Sequence, residues 1–404
     1  MMPRMRFALR EAIMTPRSFL ALALAALACS ALAQVAAPRT LAELKAEVQE
    51  RADRKVYPVS QLDPAEVREA LGALKTLDRD EWATAWSAIG DRHMAQAKRA
   101  SDRASASEHY KYAFEYYLFA RFPLENSPGK VKAYDKALEA FAVYAKLQDP
   151  AIEIVRIPFE GKEIVGTLRL PKGVRPAPLV LTIGGLDARK ENASFRSDAY
   201  LAHGVGTFSF DMPGTGQSTI RQVVPGAERE FTRVLDYIAT RHDLDAKRVV
   251  VYGGSWGGHW AARLAYLEGE RIRGAVVQGG PVHEYFQPEW QKKAIGTREY
   301  LFELFEARAA IYGAKTLAEF LAYGPKMSLK TAGWLDKPSA PMLVINGMRD
   351  TQVPVEDLFL LMRSGSPKEV WINPQGGHMG RNVAISDQKI FETVTTPWVV
   401  RMLK

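Results

Sequence analysis

Five short, unbroken apolar runs, 178–183, 206–210, 249–252, 274–277 and 342–345, constrain the fold of this chain more than any other feature. Runs of this length without polar alternation suit strands covered on both faces, as in a parallel sheet between two layers of helices. Segments of helical periodicity alternate with them, around 227–241 and 256–267. Ahead of them the period is 2. Ile152, Ile154 and Ile157 alternate roughly with polar residues, 164–170 reads as a second strand, and Phe159-Glu160-Gly161-Lys162 as the hairpin turn between the two. An antiparallel hairpin followed by strand–helix alternation predicts an α/β fold, with a mostly parallel, doubly wound sheet spanning 151–404.

The chain has 404 residues, more than one compact core usually fills, and its first part has a different period. Between 34 and 150 apolar residues recur at helical spacing. Trp82 and Trp86 stand four apart, and 110–120 is dense in Tyr and Phe; Pro123 and Ser127-Pro128 interrupt the pattern. A helical N-terminal domain follows, with its aromatic stripes read as core.

Residues 1–33 have a separate character. Arginines precede the apolar run 19–28, which is too short to span a bilayer, and Ala31-Leu32-Ala33 before Gln34 has the small-x-small pattern of a secretory cleavage site. The expectation is a signal peptide cut after Ala33, with the mature protein periplasmic or secreted; Met14 is an alternative start. The single cysteine, Cys29, lies in this segment, so cleavage leaves no thiol for a disulfide, a zinc site or a nucleophile. A lipid anchor on Cys29 is the rival reading, although Ala26-Leu27-Ala28 ahead of it is a poor lipobox. After residue 34 no stretch is apolar for long enough to cross a membrane. Of the net charge of +8, the first 33 residues carry +3; the remaining +5, with no basic run interleaved with aromatics, does not indicate nucleic acid. The expected partner is a small-molecule substrate, with a homodimer left open. Nothing in the sequence requires a cofactor or a metal.

Chemistry enters at Gly253-Gly254-Ser255-Trp256-Gly257, a Gly-x-Ser-x-Gly sequence directly after the 249–252 run and directly before a helical segment. A serine at a sharp strand-to-helix turn projects its hydroxyl above the sheet, and larger side chains at the glycines would crowd the turn. The serine needs a base, and in such sheets the partners follow in the order Ser, Asp or Glu, His. Asp350 follows the apolar run that ends at Asn346-Gly347, and His378 lies in Gly376-Gly377-His378-Met379-Gly380 after a short strand. Glu356 and Asp357 are nearby alternatives to Asp350. Two amides should hold the developing oxyanion: that of Trp256, and that of Leu186 in Gly184-Gly185-Leu186-Asp187, with Gly185 the alternative donor. The loop Asp211-Met212-Pro213-Gly214-Thr215-Gly216 suits either an active-site-facing loop or a plain turn. His259 reads as a packed helix residue.

With these motifs assembled, 150–404 resembles the α/β-hydrolase superfamily. Gly184-Gly185-Leu186-Asp187, the Asp-x-Pro-Gly-x-Gly sequence at 211–216 and the helical N-terminal region resemble more narrowly the dihydroxypseudooxynicotine hydrolase group. That group includes the fermentation–respiration switch protein and fungal pigment hydrolases that shorten polyketide chains. The resemblance implies an α/β-hydrolase fold with a helical cap insert, here at about 283–335, and a reaction that either cleaves esters or cuts a carbon–carbon bond beside a ketone. The signal peptide departs from the mostly cytoplasmic members. Gly185, Asp187, Glu284 and Tyr285 are candidate substrate contacts; Glu284 suits a role polarising a carbonyl or water, or simply a helix start. The expected function is hydrolysis of a carboxylic ester by Ser255, His378 and Asp350, with carbon–carbon hydrolysis as the alternative. A complete Ser, Asp and His set argues against a binding protein whose chemistry has lapsed.

Overall fold

The structure, a computed structural model, describes residues 38–404. The expected signal segment, its cleavage site and Cys29 lie outside the described residues.

Five helices come first: α1 (Leu41–Asp53), α2 (Pro64–Ala73), α3 (Arg79–Arg99), α4 (Arg103–Ala120) and α5 (Pro128–Leu147). Each begins where a short polar side chain can accept from the first-turn amides: Thr40, Asp63, Asp78, Asp102 and Ser127. Thr40 and Glu43 complete a capping box, and prolines open α2 and α5, where no amide hydrogen is missed. Trp82 and Trp86 face inward with ring centroids 5.3 Å apart, and Phe119 meets both edge-on. The tryptophan pair is therefore core.

The sheet has eight strands: β1 (Glu153–Phe159), β2 (Lys162–Arg169), β3 (Ala177–Ile183), β4 (Gly206–Phe210), β5 (Leu244–Gly254), β6 (Gly274–Gln278), β7 (Met342–Gly347) and β8 (Lys368–Asn373). Their order is β1-β2-β4-β3-β5-β6-β7-β8. Only β1–β2 and β2–β4 pair antiparallel; the rest are parallel. The β1–β2 turn is Glu160-Gly161, both at positive φ, as a tight two-residue hairpin requires. The unbroken apolar runs are the central strands, and they alternate between two cores. Leu179, Leu181, Val249 and Val251 face the helices Arg229–Thr240 and Trp256–Leu267, while Val180, Val250 and Val276 face the C-terminal helix Thr396–Leu403.

The stretch 283–335 folds as short helices, including Pro288–Ile295, Leu304–Tyr312 and Leu317–Tyr323. It is pinned where it leaves β6. The buried Asp357 carboxylate accepts from four consecutive amides, those of Val282, His283, Glu284 and Tyr285, at 2.7–3.2 Å. Phe286, Leu304 and Phe320 join the core on the sheet, whereas Leu301 is buried in the core of the helical N-terminal region. Among the described residues no helix is long and apolar enough to cross a membrane.

Candidate active site

β5 runs directly into the helix Trp256–Leu267, and the single residue between them, Ser255, has φ 54° and ψ −123°. An L-residue rarely adopts this backbone, and the flanking glycines make it possible. A Cβ on Gly253 would lie 2.0 Å from the Gly257 carbonyl oxygen, and one on Gly257 would lie 2.1 Å from that of Ile183 in β3. The Ser255 amide donates to the Gln278 carbonyl of β6 at 2.8 Å, which ties the turn to the neighbouring strand.

The loops after β7 and β8 converge on this turn. His378 Nε2 is 2.8 Å from Ser255 Oγ, and His378 Nδ1 is 2.8 Å from Asp350 Oδ2. The other oxygen, Asp350 Oδ1, accepts from the amides of Gln352 (2.7 Å) and Val353 (2.9 Å), so neither carboxylate oxygen is idle. Asp350 and His378 are buried, while Ser255 keeps some exposure. The histidine loop is closed on itself: Gly377 N donates to the Arg381 carbonyl and Asn373 Nδ2 to that of Gly380. This chain of contacts can move a proton from the serine hydroxyl to an imidazole whose far nitrogen is held by a carboxylate. The two alternatives to Asp350 lie elsewhere. Glu356 is exposed, and Asp357 serves the four amides that anchor 282–285, its carboxyl pushed up to about 6 by burial against their opposing pull.

Among the described residues, neither the Trp256 nor the Leu186 amide donates to a protein acceptor. Gly185 packs on the serine itself; a Cβ there would lie 3.0 Å from Ser255 Cβ and 3.5 Å from its Oγ. The Trp256 indole is buried and donates to the Tyr285 hydroxyl at 2.9 Å, in an edge-on cluster with Phe286 and Tyr312. Tyr285 is thus packed beneath the turn, 2% exposed, and reaches it through Trp256. Glu284 is not brought to Ser255, His378 or Asp350. Its side chain is 48% exposed, 3.8 Å from His283, at the start of a 3₁₀ turn. His259 is fully buried with Nδ1 3.1 Å from the Pro281 carbonyl; burial, then Arg263, holds its pKa down to about 3. The Asp211 loop is an ion-paired anchor: its carboxylate accepts from the Lys190 amide (2.8 Å) and the Gln217 amide (2.9 Å) and pairs with Lys190 Nζ.

Two features around the site have no local signature in the sequence. Asp187 accepts from the Tyr300 hydroxyl at 2.9 Å and bonds to the Tyr57 hydroxyl, so both the insert and the helical region reach the loop that carries Leu186. Burial and then the Asp187 carboxylate push both tyrosine hydroxyls well above their ordinary range, keeping them protonated donors. The second is Glu299, whose carboxylate accepts from the amides of both His378 and Thr351. Among the described residues no group of three or more His, Cys, Asp or Glu side chains is arranged to hold a metal ion.

A family model described as "Esterase FrsA-like" matches residues 69–375, from α2 to the loop before His378. The chain is 29% identical over 284 residues to Esterase FrsA of Vibrio vulnificus strain YJ016, covering 68% of this chain and 66% of that protein. It therefore spans a little under two thirds of that relative's length. It is 26% identical over 383 residues to Hydrolase LUC6 of a Fusarium species, covering 81% of this chain and 90% of that one. Of solved structures, 2,6-dihydroxy-pseudo-oxynicotine hydrolase superposes with a TM-score of 0.73 at 19% identity, covering 87% of this chain and 95% of that one. AbyA5 does so with 0.67 at 21% identity, covering 91% and 95%. Both share the fold, helical region included. On the family match across helical region and sheet together, this chain belongs to the FrsA-like esterases of the α/β-hydrolase superfamily.

Proposed function

We propose that this protein hydrolyses a carboxylic ester, with Ser255 as nucleophile, His378 as its base and Asp350 orienting that base. The observation that carries the reading is the pair of 2.8 Å contacts from Ser255 Oγ through His378 to Asp350, at a serine with φ 54°. Ser255 Oγ attacks the ester carbonyl carbon as His378 Nε2 takes its proton, and the Asp350 carboxylate stabilises the imidazolium through Nδ1–H. The amides of Trp256 and Leu186 donate to the oxyanion as it develops. Collapse breaks the bond to the alkoxide, which leaves with the proton from His378; water then attacks the acyl-enzyme by the same route in reverse.

Cutting a carbon–carbon bond beside a ketone would place a carbanion where the alkoxide leaves, and that needs a second polar group. Glu284 is the candidate near β6 that could supply it, and its exposure, with no bond to Ser255 or His378, favours the ester. Ser255→Ala should lower hydrolysis of a short p-nitrophenyl ester by about 10⁴-fold or more and abolish labelling by a fluorophosphonate, with the fold retained. Ester turnover in that variant comparable to wild type would overturn the assignment. The arginine-flanked apolar run before Gln34 supports export of the protein. The intact mass of exported material should begin at Gln34; a mass retaining residue 1, or a lipid on Cys29, would reverse that reading.

A further inference from the structure

Between the helices Pro288–Ile295 and Leu304–Tyr312 runs an irregular strap, Arg298-Glu299-Tyr300-Leu301. Four consecutive carbonyls of this strap are held by two arginines of the helical N-terminal region. Arg39, just ahead of α1, donates to the carbonyls of Arg298 (2.6 Å), Tyr300 (3.0 Å) and Leu301 (2.5 Å). Arg51, in the last turn of α1, donates to that of Glu299 (2.9 Å). Both guanidinium side chains are largely covered, 9% and 14% exposed, so the bonds to Glu299, Tyr300 and Leu301 are partly sheltered from competing water, while that to Arg298 is exposed.

The Glu299 side chain of this strap points the other way, into the loops of the site. Glu299 Oε1 accepts from the His378 amide at 2.7 Å. Its Oε2 accepts from the Thr351 amide at 3.1 Å and the Thr351 hydroxyl at 2.5 Å, one residue beyond Asp350. One carboxylate therefore joins the backbone that carries the base to the backbone that carries its orienting acid. The histidine loop needs such a tie. Two glycines precede His378 and give the chain there unusual freedom, while Met379 after it sits at φ 63°, a conformation that its surroundings must hold. Gly377 also admits the carboxylate, since a Cβ there would be 2.7 Å from Glu299 Oε1.

We propose that Glu299 is a positioning residue of the triad, held in place by Arg39 and Arg51, so that the helical region is a working part of the catalytic centre. This rests on the esterase reading above. Bonds from a charged acceptor to main-chain donors fix the backbone more firmly than neutral ones do, and a shift of about 1 Å in a reacting group costs on the order of 100-fold in rate. Glu299 touches no reacting atom. Its loss should therefore lower turnover and leave substrate binding alone.

The test compares wild type, Glu299→Ala, Glu299→Gln and the double variant Arg39→Ala/Arg51→Ala of the full chain. Glu299→Ala should lower kcat for a short p-nitrophenyl ester by about tenfold or more with KM within about twofold. Glutamine keeps an acceptor for the His378 amide and can bond the Thr351 hydroxyl, but its NH2 group faces the Thr351 amide, so Glu299→Gln should restore only part of the loss. The double arginine variant should fall in the same direction as Glu299→Ala. Hydrogen exchange gives a readout that does not depend on activity. Peptides covering 350–353 and 376–380 should exchange about tenfold faster in Glu299→Ala, while those from β3, β5 and β6 stay unchanged. A wild type without ester turnover would sink the esterase reading, and exchange would still decide the positioning role. Wild-type kcat with unchanged loop exchange would overturn the proposal. So would faster exchange spread through the sheet, which would make Glu299 a support of the whole fold.

Discussion

Asp350→Asn alters one atom of the site and preserves its shape, and the structure fixes which way the new side chain must lie. Asp350 Oδ1 receives two amides, from Gln352 at 2.7 Å and Val353 at 2.9 Å, whereas Oδ2 faces His378 Nδ1 at 2.8 Å. Asp350 is only 6% exposed. An NH2 group at the Oδ1 place would confront two buried donors, at about 1–3 kcal/mol for each one left unmet. The amide oxygen therefore stays with Gln352 and Val353, and the NH2 group turns to the imidazole. His378 must then accept at Nδ1 and carry its own proton on Nε2, which points at Ser255 and can no longer remove the serine proton. In the serine protease triad the same change costs about 10⁴ in kcat through the wrong tautomer. We expect a comparable loss here, about 5.5 kcal/mol of barrier. Stability should change by less than about 1 kcal/mol, because every donor of the loop keeps its acceptor. Steady-state hydrolysis of p-nitrophenyl acetate measures the first effect, and urea unfolding the second. Asp350→Asn turnover within tenfold of wild type, in a folded protein, would refute the account of the base.

The remaining expectations concern the frame. His259 has a folded pKa of about 3 against 6.5 for a free imidazole, so the unfolded chain takes up the proton first on acidification. Its contribution is complete above pH 6.5 and is lost as pH falls towards 3, by about 1.4 kcal/mol for each pH unit. His259→Gln, which can still donate to the Pro281 carbonyl, should flatten the loss of stability between pH 7 and 4 in urea titrations; identical slopes would show that the imidazole is not held neutral. Gly257→Ala drives a methyl into the Ile183 carbonyl, 2.1 Å away, and should cut fluorophosphonate labelling about 100-fold or more through a displaced Ser255. Gly72→Ala, exposed in α2 with nothing within 4 Å, should instead stabilise by up to about 1 kcal/mol in the same unfolding assay.

What was legible in advance follows from what has a local signature. A strand buried on both faces must be apolar throughout, so β3 to β7 announced themselves, as did the two-residue turn at Glu160-Gly161. A serine turn squeezed between a strand and a helix needs its glycines, and Gly253 and Gly257 stand where a Cβ has no room. The order of Ser255, Asp350 and His378 indicated which side chains would meet. Glu299 could not be read this way. A carboxylate in an irregular stretch of a helical insert looks like any surface glutamate, and its partners lie in loops far along the chain. Tyr57 and Tyr300 were hidden likewise, the first in a loop between helices and the second among the insert's many aromatics. For Glu284 the sequence left two roles open, since its place beyond β6 is where ligands gather in such sheets; the Asp357 anchor holds its backbone at the start of a 3₁₀ turn and leaves its side chain about half exposed, as a helix-start carboxylate would be.

The seam of rings in the helical region has a consequence for how the protein is made. Phe302 of the insert meets Trp82 edge-on at 4.9 Å and Phe122 at 5.5 Å, and Leu301 is 1% exposed between α1–α5 and the sheet domain. The helices leave the ribosome first, yet the side chains that close their core are among the later ones to be synthesised. Until then Trp82 lacks the edge-on partner that Phe302 supplies, and the nascent chain presents an aromatic face without it. The completed insert covers that face when Leu301 and Phe302 dock.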